Sequence, residues 1–107
     1  MKIYRGDTFE FDFSAEFENG NPYIFQTGDV LKAGIKNTLG NEKYMLYQKK
    51  IIEDDIQTVT FLFPHEETIN LTPRQNCILE VELTDTSGKV LTLYQKPIEI
   101  AGDVINE

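Results

Sequence analysis

The sequence predicts an all-β protein, an antiparallel sandwich or small barrel of about seven strands. Three observations carry that prediction. Apolar residues alternate with polar ones at period two in several runs, the mark of a strand with one buried and one solvated face. The runs recur about every ten residues, separated by Gly, Pro, Asn and Asp. No stretch repeats its apolar residues at the helical period of 3.6. The 107 residues suit one domain, residues 1–107. For 12.3 kDa, surface scaling gives roughly 6,100 Å² folded against roughly 17,800 Å² unfolded, enough burial for a core without disulfides or metal.

In chain order, Phe9, Phe11, Phe13, Ala15 and Phe17 alternate with Glu10, Asp12, Ser14 and Glu16, predicting one strand over nine residues. Asn19-Gly20-Asn21-Pro22 ends it, because Asn and Gly accept positive φ and Pro cannot continue a ladder. Tyr23 to Gln26 is a short extended piece closed by Thr27-Gly28-Asp29. Leu31, Ala33 and Ile35 form the next inward set, Leu39-Gly40-Asn41-Glu42 a turn, and Lys43 to Ile52 a long strand. After the loop Glu53-Asp54-Asp55 come Val59, Phe61 and Phe63, stopped by Pro64. His65 to Gln75 has room for a single helical turn, with Pro73 limiting it. Leu79, Val81 and Leu83 define another strand, Asp85-Thr86-Ser87-Gly88 a hairpin to Val90–Tyr94, and Ile98 and Ile100 close the chain. Shared phase assigns the core to Phe9, Phe11, Phe13, Phe17, Leu31, Ile35, Phe61, Phe63, Leu79, Val81, Leu83, Leu91 and Leu93.

Composition narrows the function classes. Ten Lys and Arg against eighteen Asp and Glu give a net charge of −8, which repels phosphate backbones and anionic membranes. An acidic decoy of nucleic acid would need its carboxylates along one face, and this charge is modest for that role. No apolar run reaches a membrane-spanning length, and Met1-Lys2-Ile3-Tyr4 turns polar too soon for a secretion signal. The single cysteine allows no internal disulfide.

The residue types able to bear chemistry read mostly as structural. His65, the only histidine, follows Pro64 in a polar loop and reads as solvated rather than as a general base. Cys77 opens a strand and reads as a small buried hydrophobe, slow to react, with only Arg74 nearby to activate it. Glu53-Asp54-Asp55 lacks the alternating spacing of a calcium loop, and Glu10, Asp12 and Glu16 form the wet face of a strand. Tyr44, Tyr47 and Tyr94 are the candidates for a carbohydrate-contacting surface. Arg5-Gly6-Asp7 and Asn70-Leu71-Thr72 match short recognition patterns that recur by chance. No phosphate loop, spaced metal-ligand set or nucleophile elbow occurs, so no enzyme activity, metal or cofactor is expected.

Four features together resemble a known family. They are Arg5-Gly6-Asp7-Thr8-Phe9, the turn Asn19-Gly20-Asn21-Pro22-Tyr23, the strand Gly28-Asp29-Val30-Leu31-Lys32, and a closing run. That run is Val81-Glu82-Leu83, Gly88-Lys89-Val90-Leu91-Thr92-Leu93, Ile98-Glu99-Ile100 and Asp103-Val104. The set resembles prophage-encoded Ig-like β-sandwich proteins of Gram-positive bacteria, and is similar to the N-terminal domain of the upper baseplate protein of lactococcal siphophages. The chain departs from that pattern at Gln75 and Cys77, where the family tends to place Gly and Tyr. The resemblance implies an Ig-like antiparallel β-sandwich with a tail- or baseplate-associated structural role, made in the bacterial cytoplasm and carried in the virion. It offers no catalytic residues to carry over. The alternative is a sandwich module that binds carbohydrate or a host surface.

An assembly role makes the sheet edges the regions of interest. Lys2–Arg5 and Lys43–Ile52 are the candidate edges. In the second, Tyr44, Leu46 and Ile52 share one phase, while Met45, Tyr47 and Ile51 share the other. Two apolar faces exceed what one core uses, so Met45, Tyr47 and Ile51 are expected to meet another virion protein or a second copy.

Overall fold

The computed structural model of the chain describes residues 1–37 and 44–102. The turn expected over Leu39-Gly40-Asn41-Glu42, the strand start at Lys43 and the pair Asp103-Val104 lie outside the described residues. The described elements are β1 (Lys2–Tyr4), β2 (Phe9–Phe13), β3 (Val30–Asn37), β4 (Tyr44–Ile51), β5 (Val59–Phe63), α1 (His65–Thr68), β6 (Arg74–Thr84) and β7 (Val90–Ala101). Seven strands form two sheets, one ordered β1-β7-β6-β3-β4 and one β2-β5. The sheets pack face to face as a sandwich, not as a closed barrel. All pairs are antiparallel except β1 with β7.

The inward residues follow the alternation. Leu31, Ala33 and Ile35 of β3 meet Leu83, Val81 and Leu79 of β6 across the ladder, and all six are buried. On the small sheet Phe11 faces Phe61 and Phe9 faces Phe63, with ring centroids 5.5 Å and 6.0 Å apart. Phe13, Phe61 and Phe63 are buried, while Phe9, Phe11 and Leu93 are half-buried against the core.

Two expected core residues are exposed. The first strand ends at Phe13 rather than Phe17, because the chain folds back on itself. Tyr23 N–H donates to Ala15 O and Phe17 N–H to Asn21 O. This local turn lifts Phe17 off the sandwich, where it is 55% exposed and touches Tyr23 instead. Phe25 takes the interior place, fully buried beside Phe13 and Tyr23. Leu91 is 38% exposed although it pairs with the buried Leu83, because the two-stranded sheet is too narrow to cover all five strands opposite.

Three register shifts change the phase of long strands. One falls between Ile35 and Lys36, so that Ile35 faces Leu46 and Lys36 faces Tyr44. A second, between Val81 and Glu82, turns Tyr94 inward against Phe13. The third lies between Arg74 and Cys77, where Asn76 takes φ of 61°, a conformation Asn tolerates better than most residues. Loops are tied by carboxylates. Asp29 is buried, its N–H donating to Gln26 O and its carboxylate accepting from Gln26 N–H, around Gly28 at φ 96°. The Asp85 carboxylate accepts from Ser87 Oγ, Ser87 N–H and Lys89 N–H, which together hold its pKa below the usual value.

Candidate functional site

The outer face of the large sheet carries a polar cluster built on one cross-strand row. Tyr47, Gly34, Glu80 and Gln95 lie opposite one another on β4, β3, β6 and β7. At Gly34 the absent side chain admits the Tyr44 ring, since a Cβ there would sit 2.5 Å from both Tyr44 Cδ1 and Leu46 O. The Tyr44 hydroxyl donates to Glu80 Oε1 at 3.0 Å, Lys36 Nζ lies 3.1 Å from the same oxygen, and Gln95 Nε2 donates to Oε2 at 2.7 Å. Lys36 also stands 4.8 Å over the Tyr44 ring.

Covered in this way, Glu80 is only 5% exposed. Burial alone would raise its pKa, but the donors Gln95, Lys36 and Tyr44 hold the carboxyl below the ordinary glutamate value. Burial and the bond to Glu80 push the Tyr44 phenol up. Lys36 is raised as well, its ion pair outweighing the effect of burial. Both oxygens of Glu80 are engaged, so the cluster holds a fixed carboxylate rather than offering a base to a substrate. The alternation of β6 marks Glu80 as solvent-facing. The signal of its burial was Gly34 in a strand interior, where glycine marks a close approach.

The expected interface trio is divided by the shift after Ile35. Met45 packs partly against the core. Tyr47, 42% exposed, and Ile51, 63% exposed, lie on the outer face beyond the Tyr44 ring, whose centroid is 5.1 Å from that of Tyr47. Met45 and Tyr47 therefore do not share a face, because the extra residue in the bulge reverses the phase between them. The edges fall where expected: β1 and β4 are the outer strands of the large sheet.

The two flanks of the sandwich differ. On the β4–β5 flank, Gln48 Oε1 accepts from Leu62 N–H at 3.1 Å, covering a backbone donor on the outer edge of β5. The other flank lies between β1 and β2. A groove opens there, with one cavity of about 370 Å³ bordered by Ile3, Tyr4, Phe9 and Phe11. A second, of about 320 Å³, is bordered by Phe11, Phe13, Leu79 and Tyr94, and Met1 borders both.

The remaining sequence candidates are scattered. His65 is exposed, with Nε2 2.7 Å from Glu66 Oε1. Cys77 is buried. Asp55 accepts from Thr27 N–H and Oγ1, tying two loops together. Among the described residues no group of three His, Cys, Asp or Glu could hold a metal ion, and no helix is long and apolar enough to cross a membrane. Comparison with protein-family models, curated proteins and solved structures gives no match.

Proposed function

We propose that this chain is a non-catalytic structural or assembly module of a phage or prophage, associated with the tail or baseplate. Its partners in this reading are other virion proteins or further copies of itself, with no part for nucleic acid or membrane, and its place is the virion. The observation that carries the reading is that β2 and β4 each keep an unpaired edge beside apolar surface, the usual substrate of strand addition. The resemblance of Arg5-Gly6-Asp7-Thr8-Phe9 and the other three segments to phage sandwich proteins supports it from the sequence side. Support for a carbohydrate-binding module is weaker. Tyr44 spends its hydroxyl on Glu80 and Tyr94 turns inward, leaving Tyr47 alone as an exposed member of that set.

The test is to induce the encoding strain, purify the particles and probe the tail fraction for the chain. It is expected there in fixed stoichiometry, with tail, holin or lysin genes beside its own. Absence from particles, with unrelated neighbouring genes, would sink the assignment.

A further inference from the structure

We infer that copies of this chain join head to tail, the free edge of β4 in one copy adding beside the free edge of β2 in the next. The inference rests on the assembly reading above and deepens it by naming the partner as a second copy. Charge is segregated along the sequence. Residues 6–31 hold six carboxylates, Asp7, Glu10, Asp12, Glu16, Glu18 and Asp29, and no Lys or Arg. Strands β3 and β4 hold Lys32, Lys36, Lys49 and Lys50 and no Asp or Glu. Within a chain of net charge −8, the β4 edge is thus a basic exception, and the β2 edge is wholly acidic.

That arrangement selects among the pairings that free edges allow. A β2–β2 contact would set Glu10 and Asp12 against their own copies, and a β4–β4 contact would do the same with Lys49 and Lys50. Like charges facing across a ladder are destabilising. Joining β4 to β2 instead lets Lys49, on the outer face of β4, meet the carboxylate face of β2 that carries Glu10 and Asp12, while Lys50 lies on the other face of its strand. The other edges compete poorly. In β5 the outward Leu62 N–H is already bonded to Gln48. Strand β1 is three residues long and carries Lys2, which repels the β4 lysines.

Because the two edges lie on opposite flanks of one molecule, each joined copy still presents a free β4 and a free β2. Such a heterologous contact propagates, closing into a ring if the rotation permits.

Sedimentation of the full chain over a concentration series tests this. Wild type is expected to gain mass with concentration, and to lose it in high salt. K49E/K50E and E10K/D12K should each weaken association by about tenfold or more, and the chain carrying all four changes should recover most of it. Glu10, Asp12 and Lys49 are exposed, so circular dichroism should show native folds. Lys50 lies 5.8 Å from the Phe61 ring. If its substitution unfolds the chain, K49E, D12K and their combination give the same readout. A wild type that stays monomeric near millimolar concentration, doubles that associate like wild type, or no recovery in the combined variant each overturns the inference. If association fails while the chain remains in the tail fraction, only the copy-to-copy edge falls. Absence from the tail fraction removes the assembly reading itself.

Discussion

The β4–β5 flank and the β1–β2 flank of the sandwich are both made where two sheets run out, yet only one is closed. On the first, Gln48 reaches from the large sheet to the backbone of β5, and Phe61 lies fully buried under the Lys50 stem. On the second, Phe9 and Phe11 remain half-buried beside a groove. A two-stranded sheet facing a five-stranded one has to leave something uncovered, and the tie on one flank puts the deficit on the other. The difference teaches that apolar residues of equal sequence rank have unequal weight in the fold.

Paired truncations test that inequality. Phe61→Ala is expected to cost about 3–5 kcal/mol in urea unfolding, from lost transfer energy and a cavity. Phe9→Ala, which empties a site already open to water, should cost only about 1–2 kcal/mol. Equal losses would erase the distinction between the flanks. Gly34→Ala should cost about 1–3 kcal/mol, since the new methyl overlaps backbone and the Tyr44 ring. Its diagnostic sign is a Tyr44 phenol that titrates closer to its ordinary value as the ring is displaced from Glu80.

The Glu80 cluster gives a pH signature independent of either flank. A carboxyl with a lowered pKa in the fold contributes stability above the ordinary glutamate value of 4.5 and loses it as pH falls through the folded value. Tyr44 and Lys36 are raised, so their contribution is full below about pH 10 and lost as pH climbs through their folded values. Glu80→Gln should flatten both limbs of the stability curve while costing about 1–2 kcal/mol at pH 7. Unchanged limbs would mean that other groups govern them. The smallest effect is expected of Gln48→Ala, about 0.5–1.5 kcal/mol for one hydrogen bond. Its sharper readout is aggregation, because it uncovers the β5 edge.

Much of this architecture was legible in the residues. Leu31 and Ile35, Phe61 and Phe63, and Leu79, Val81 and Leu83 kept the phase their alternation announced, because a one-residue slip would expose a whole apolar set. Both outer strands of the large sheet were also placed. What escaped were the bulges. An extra residue carries no reliable mark in an alternating run, so Met45 was grouped with Tyr47 and Tyr94 was set outside, when each belongs to the opposite side. Phe17 and Phe25 exchanged roles for a related reason, as the local turn after Ala15 outcompeted continued alternation. Glu80 was hidden by the rule that an acid in an alternating strand faces water, and only its neighbour Gly34 argued otherwise.

The parallel pairing of β1 with β7 has a kinetic consequence. Lys2 sits opposite Glu99 and Tyr4 opposite Ala101, so β1 waits for β7, a strand far along the sequence, before it has a ladder to join. Contacts of such sequence separation carry a large loop-closure cost before they give any return, and they form late in folding. Until then β7 presents an unprotected rim to every neighbouring nascent chain. The docking of β1 then exchanges the long rim of β7 for a three-residue edge, which a neighbouring chain extends less readily.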